Sequence, residues 1–411
     1  MSFKDLHLIK PLQKAIEASG YAEATLVQER SIPPILEGKD VIVSAQTGTG
    51  KTAAFALPIL QKLFDKQDAP KKGKKIRALI VSPTRELAIQ IQQNFKAYAK
   101  FTNLRSSVIF GGASIGPQID VLKKGVDILV ATPGRLLDLQ KQNYINLDAI
   151  EIFVLDEADL MLAMGFIDDV KKIERLCPIT KQNLLFSATI PYKIEALANT
   201  ILKNPKRIDV TPTTSIAENV SHVLYYVPKR HKIELCLHLL RNTVKGNIII
   251  FRRTKFGVNK LEGILKKNGY SVDSIHGDKA QSERQTALNK FKNGYVKILI
   301  ATDVAARGID INELDNVLNF DLPNVAETYV HRIGRTGRAG NMGTAYTLCS
   351  ADEKNYVKTI QNTLDVQIPI ETEHPYPLDP KAKPTVHKKQ GSKYKKGRKG
   401  KGSKKKKKRW Y

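Results

Sequence analysis

The chain has 411 residues and carries 67 Lys and Arg against 40 Asp and Glu, a formal net charge of +27. Its length exceeds one ordinary core, and no stretch approaches the roughly 18 apolar residues that span a bilayer. Cys177, Cys236 and Cys349 lie far apart without metal-type spacing, which excludes a zinc site or a disulfide scaffold and suits small apolar residues in a reducing compartment.

Met1-Ser2-Phe3-Lys4-Asp5 carries no apolar leader, so a soluble cytoplasmic protein is expected. The first half then repeats one unit: a short apolar strand, a polar loop with Gly, Pro or Thr, and a helical stretch. Strands are predicted at Val41–Val43, Ala78–Val81, Val108–Phe110, Ile128–Val130, Ile152–Leu155 and Leu184–Phe186. Strands alternating with helices predict a doubly wound, mostly parallel sheet, with its post-strand loops on one edge. Those loops are Ser82-Pro83-Thr84-Arg85-Glu86, Gly111-Gly112, Thr132-Pro133-Gly134-Arg135, Asp156-Glu157-Ala158-Asp159 and Ser187-Ala188-Thr189.

Two loops carry chemistry. Val41-Ile42-Val43 runs into Ala45-Gln46-Thr47-Gly48-Thr49-Gly50-Lys51-Thr52 and an apolar stretch, which reads as strand, phosphate loop and helix. Gly48 and Gly50 let backbone N–H groups close on phosphate oxygens, Lys51 brings a point charge, and the Thr52 hydroxyl suits a metal. The tetrad beginning at Asp156 follows a strand buried on both faces. There Asp156 would hold Mg²⁺ and Glu157 would orient and deprotonate a water attacking a γ-phosphate. Alone it reads equally as an acidic helix start. With the phosphate loop it points to a nucleoside triphosphatase.

Asp209-Val210-Thr211-Pro212-Thr213-Thr214-Ser215 reads as a linker, and a second set of strands follows. These are Val223–Tyr226, Ile248–Phe251, Val272–Ile275, Ile298–Ala301, Val317–Asn319 and Ala345–Leu348, so the halves are expected to be two similar α/β domains. The second lacks a phosphate loop. It carries Ala301-Thr302-Asp303-Val304-Ala305-Ala306-Arg307-Gly308-Ile309-Asp310 and His331-Arg332-Ile333-Gly334-Arg335-Thr336-Gly337-Arg338, which read as sites for phosphate or ribose, closely spaced arginines suiting a transferring phosphoryl group. A solvated basic loop or a plain RNA-backbone patch is the bland reading. Residues 381–411 then hold 16 Lys and Arg and no acid, while the remaining 51 basic residues exceed the 40 acidic ones by 11. Such a polycation cannot bury a core; it suits non-specific RNA contact, and Lys404 to Arg409 would also read as a nuclear-localisation run.

This ordered set of motifs resembles the DEAD-box family of ATP-dependent RNA helicases over about residues 1–365, and Ser44-Ala45-Gln46 with Phe251-Arg252-Arg253-Thr254-Lys255 is similar to its bacterial RhlE-like branch. The resemblance implies two tandem RecA-like domains. The boundaries are an adenine-reading segment at 1–29, the first domain at 30–208, a linker at 209–218, the second domain at 219–366 and a disordered basic RNA-binding tail at 367–411. It implies that Phe3 stacks on adenine and Gln28 reads its edge. It also implies that Arg335 and Arg338 are arginine fingers, that Asp303 contacts the ribose or places those fingers, and that Ser187, Thr189 and His331 couple nucleotide state to RNA. Pro83, Thr84, Arg85, Gly112, Thr132, Arg135, Arg253, Thr254, Gln281, Arg284 and Thr302 would line the RNA path. Arg252 would add charge to that path or be a solvated arginine. Ala24, Leu160 and Ala163 depart from the family pattern without removing a catalytic group.

The implied protein is a monomer that uses ATP and Mg²⁺ to separate short RNA duplexes or remodel RNA–protein particles. Ribosome biogenesis or RNA turnover would be its setting, with ribosomal particles or the RNA-degradation machinery as partners. The alternative is an ATP-gated RNA clamp with little strand separation.

Overall fold

The computed structural model describes residues 2–46, 48–65, 75–210, 220–306, 314–337, 342–382 and 384. Among them, β1 (Val41–Ser44), β2 (Ala78–Val81), β3 (Ser106–Ile109), β4 (Ile128–Ala131), β5 (Ile152–Leu155), β6 (Gln182–Ser187) and β7 (Lys206–Asp209) form one sheet, ordered β3-β4-β2-β5-β6-β1-β7. A second contains β8 (Val220–Tyr226), β9 (Ile248–Phe251), β10 (Val272–Ile275), β11 (Ile298–Ala301), β12 (Asn316–Asn319), β13 (Gly343–Cys349) and β14 (Ile370–Glu371), ordered β10-β11-β9-β12-β13-β8-β14. Subtracting seven from each number in the second order reproduces the first. The halves are topological copies, and every pairing between these strands is parallel.

Helices cover both faces of each sheet, and the inner strands β2, β4, β5, β9 and β11 are apolar throughout. Along β1, Val41 and Val43 enter one core and Ile42 the other, as a two-residue side-chain period requires. Phe55, on the helix Lys51–Asp65, meets Phe186 of β6 edge-on with ring centroids 5.2 Å apart. Burying a ring of this size contributes about 2 kcal/mol and fixes the helix after the phosphate loop against the sheet.

Two boundaries differ from expectation. Asp209 is not linker but the last residue of β7, paired with Ser44, and the Val210 N–H donates to the Ser44 carbonyl at 2.8 Å. Residue 367 does not begin a tail. Ile368 is buried, β14 adds to the edge of β8, and the Leu378 N–H donates to the Tyr226 carbonyl at 3.0 Å. The Tyr376 ring stacks on His231 at 5.4 Å. This strap completes the second sheet as β7 completes the first. The rest of the expected linker, residues 211–218, together with residue 219 and all but residue 384 beyond 382, lie outside the described residues. No helix among the described residues is long and apolar enough to cross a membrane.

Parallel strands point all their carboxyl ends to one edge, where open α/β sheets bind ligands. Strand order divides that edge. The neighbours β5, β6 and β1 lead into the tetrad, Ser187-Ala188-Thr189 and the phosphate loop, whereas β3, β4 and β2 lead into Gly111-Gly112, Thr132–Arg135 and Pro83–Arg85.

Candidate active site and nucleic-acid interface

The phosphate loop is tied down on both sides. Ala45 is buried and its N–H donates to the Ser187 carbonyl at 3.0 Å, while the Gln46 carbonyl accepts from the Thr49 hydroxyl at 2.7 Å. Gly48 and Gly50 adopt φ of 90° and 91°, which L side chains rarely tolerate. Gln28 Oε1 accepts from the Thr25 N–H at 3.0 Å, and its Nε2 donates to the Gly50 carbonyl at 3.2 Å. The proposed adenine reader thus holds the phosphate loop through backbone. Phe3 is buried, its ring stacked 6.4 Å from that of Tyr21. Thr52 is the second residue of the helix Lys51–Asp65 and half-buried; Thr47 lies outside the described residues.

Lys51 Nζ donates to Glu157 Oε1 at 2.8 Å, and both side chains are buried. Burial pulls the ammonium pKa down, but Glu157, Asp156 and Asp159 outweigh it and leave it above its ordinary value. Asp156 is raised as well. Burial first and Glu157 second raise its carboxyl to about 7, with Lys51 opposing them. Its Oδ1 is buried without a hydrogen-bond partner, a costly arrangement unless a cation completes it. Among the described residues no three His, Cys, Asp or Glu cluster as a closed cage. One orphaned carboxylate oxygen beside a phosphate loop fits Mg²⁺, which favours one or two carboxylates plus phosphates. Glu157 occupies the left-handed region, φ 53° and ψ 54°, and such strain in a non-glycine residue is found where function sets geometry.

The three proposed coupling residues surround Asp159. Its Oδ2 accepts from the Thr189 N–H and hydroxyl, each at 3.0 Å, and lies 3.8 Å from His331 Nε2 of the second domain. Ser187 Oγ accepts from the Asp159 N–H at 3.1 Å and donates to the Thr189 carbonyl at 2.7 Å. The tetrad's last acid is therefore the hub, a role its sequence position did not assign.

On the other half of the edge, Pro83, Thr84, Arg85, Thr132 and Arg135 line a cleft of about 550 Å³, which Gly277 and Arg284 close from the second domain. Thr84 caps the helix Arg85–Tyr98 by accepting from the Leu87 N–H at 3.3 Å, and Thr132 Oγ1 accepts from the Gly111 N–H at 3.4 Å. Gly112 is required beside Arg85: a Cβ there would lie 2.1 Å from the guanidinium, and its φ is 72°. Arg135 Nη2 donates to the Ala113 carbonyl at 3.1 Å, yet its Nη1 and Arg284 Nε are buried donors without partners. Buried cationic donors facing a cleft suit phosphate oxygens. Gln281 and Arg284 both reach Glu86, at 2.9 Å each, so Glu86 joins the domains.

Arg253, Thr254 and Thr302 stand on the carboxyl edge of the second sheet, outside that cleft's lining. Thr254 caps the helix Lys255–Lys267. Arg253 Nη2 donates to the Leu322 carbonyl at 2.9 Å, and the rest of the side chain is half exposed. Arg252 is not a solvated arginine: its side chain is largely buried. Its guanidinium lies over Phe320 at 4.1 Å and donates to Asp321 at 2.8 Å, in space that Gly257 leaves open. Asp303 is held by Arg332, whose Nη2 donates to its Oδ2 at 2.8 Å; Arg332 Nη1 also reaches the Asp321 carbonyl at 2.6 Å. Arg335 is buried just past the helix Ala326–Ile333, and Arg338 lies outside the described residues. Glu86, Asp159, Asp321 and Arg332 carry no assigned role in the sequence reading. Their partners come from elements distant in sequence.

The profile of the DEAD/DEAH box helicases matches residues 25–197, and that of the helicase conserved C-terminal domain matches residues 231–340. The DEAD-box ATP-dependent RNA helicase CshA of Bacillus subtilis (strain 168) is 43% identical over 363 residues, 88% of this chain and 72% of that protein. Dbp5 of S. cerevisiae bound to RNA and ADP BeF3 superposes with a TM-score of 0.80 at 34% identity, covering 90% of this chain and 95% of that one. A variant of Dbp5 bound instead to Gle1 and IP6 reaches 0.70 at 33% identity, covering 90% and 94%. The two domains are thus arranged more as in the RNA- and nucleotide-bound relative. These likenesses carry the family and not the RhlE-like branch. The chain belongs to the DEAD-box family of ATP-dependent RNA helicases.

Proposed function

We propose that this protein hydrolyses ATP at a site on its first domain that is completed by its second, and that RNA held across both domains drives the completion. The observation that carries this reading is the cleft shared by Arg85, Arg135 and Arg284, beside a carboxylate and lysine cluster on the same sheet edge. Phosphate takes Lys51 from Glu157, and the freed carboxylate accepts the proton of the attacking water. Thr52 and Asp156 would hold Mg²⁺, which would supply positive charge to the phosphate oxygens. Arg335 and Arg338 add the charge that a transferring phosphoryl group needs, worth several powers of ten in rate. Gln28 and Phe3 select adenine. Asp159, Thr189 and His331 report the state of the first domain to the second.

Backbone-directed contacts in the cleft give affinity without reading sequence, and closure strains one strand of a short duplex. On this reading the protein is a soluble, cytoplasmic, monomeric remodeller of ribosomal or decaying RNA, and the polycationic segment 381–411 holds RNA by counterion release. Steady-state ATP turnover with and without RNA, alongside strand release from a short duplex, tests the reading. RNA-stimulated turnover with release is expected. Tight ATP-dependent RNA binding without release would leave the clamp, and turnover indifferent to RNA would reject both.

A further inference from the structure

A second basic cavity lies at the other end of the helix that begins in the RNA cleft. Arg85 starts that helix in the cleft and Tyr98 ends it 13 residues later, about 20 Å away. There Lys96, Lys100, Arg105 and Lys124 line a cavity of about 550 Å³ whose lining contains no carboxylate. Asp127, which accepts from the Arg105 N–H at 2.8 Å, is buried behind it. Phe101 is 44% exposed, with the Lys100 ammonium 5.5 Å from its ring centre, and Val121 is 39% exposed on the lining.

The bland explanation is helix capping. Lys96 lies in the last turn of one helix, and Lys123 in that of Ile115–Lys123 with Lys124 next, where cations complement the macrodipole. Capping accounts for each lysine singly. It does not account for four cations from two helix ends and a strand start converging on one cavity, or for the exposed Phe101 ring beside the lining residue Lys100. Cations interleaved with an exposed ring match a nucleic-acid strand, since phosphates take the charge and any base can stack on the ring. An acidic protein surface would use the charge but not explain the ring.

We infer that this cavity binds the backbone of RNA flanking the segment in the interdomain cleft, with Phe101 stacking one base. It extends the RNA path along the first domain and rests on the reading of the interdomain cleft as RNA-binding. It lets the enzyme prefer a long strand or duplex overhang to a short oligonucleotide without altering the ATP site.

The test uses the full chain with Lys96→Ala, Lys100→Ala and Lys124→Ala combined, all exposed positions, and Phe101→Ala separately. Affinity is measured by titration for a short RNA that fills only the interdomain cleft and for one with a single-stranded extension. The triple variant should leave short-RNA affinity and short-RNA-stimulated ATP turnover unchanged while weakening extended-RNA binding about 5- to 10-fold. Its salt slope should fall by about 2, since each single-strand phosphate contact contributes about 0.7. Phe101→Ala should lose ultraviolet crosslinking of the extended RNA to the peptide containing residue 101. Equal effects on both RNAs, or none on the extended one, would overturn the proposal and leave the cavity to an acidic protein. If RNA fails to stimulate the wild type, the interdomain reading fails, and the affinity comparison still decides this one.

Discussion

Glu86 Oε1 stands 2.9 Å from Arg284 Nη2 across the two domains, with side chains only 7% and 9% exposed. Gln281 Nε2, three residues before Arg284 on the same helix, donates to the same oxygen at 2.9 Å. Burial lowers the Arg284 pKa and Glu86 opposes the shift. A pair buried this far is held by mutual neutralisation, so losing one partner leaves a buried charge.

Glu86→Ala and Arg284→Ala should therefore each raise the RNA concentration giving half-maximal ATP turnover, by roughly 10- to 100-fold. Their effects should not add, with a coupling of about 2 kcal/mol in a double-mutant cycle. Purely additive effects would mean that the contact does not link the domains in solution.

Glu157→Gln keeps the shape of the side chain and removes the base. Single-turnover phosphate release should slow by at least about 100-fold while ATP and RNA still bind together. Wild-type turnover in this variant would assign the proton elsewhere.

Gly50→Ala tests the link between adenine reader and phosphate loop. The added Cβ would sit 2.3 Å from Gln28 Nε2 at a φ of +91°. KM for ATP should rise at least about 10-fold, because both a clash and left-handed strain must be absorbed. Gln28→Ala alone should raise KM for ATP as well, because it removes both the adenine contact proposed for Gln28 and its 3.2 Å hydrogen bond to the Gly50 carbonyl. An unchanged KM in Gly50→Ala would show that strain at residue 50 is negligible.

The most legible strands are inner ones such as Ile152–Leu155 and Ile248–Phe251, whose continuous apolar runs follow from burial. β7 and β14 escaped because they carry too little buried apolar sequence, unlike the edge strands β3 and β10, which keep two and three buried residues. In Lys206-Arg207-Ile208-Asp209 only Ile208 is buried, and Ile370–Glu371 is too short for any period. The chemistry at the phosphate loop and tetrad is local in sequence and legible. The partners are not. Arg252 reads as one more cation beside Arg253 until the fold brings Phe320 and Asp321 beneath it, and Glu86 until the second domain brings Arg284.

The Arg252–Asp321 contact has a pH signature. Burial, the largest influence, raises the Asp321 pKa, but Arg252, the Arg253 N–H and Lys232 outweigh it and hold the carboxyl below its ordinary 3.8. A depressed carboxylate stabilises the fold above its unfolded pKa and loses that contribution as pH falls through the folded value. Arg252→Met keeps the stem over Phe320 and should cost about 2 kcal/mol at neutral pH. In denaturant titrations that difference should shrink below pH 3.8. A pH-independent difference would assign the cost to packing.

Domain closure itself is the most direct measurement. With one fluorophore on the helix Ile115–Lys123 and another on Lys255–Lys267, energy transfer between the domains can be followed with a non-hydrolysable ATP analogue, with RNA, and with both. A high-transfer population that appears only when both are present is the predicted result. Full closure with nucleotide alone, or RNA-stimulated hydrolysis with no change in transfer, would contradict a site completed by RNA.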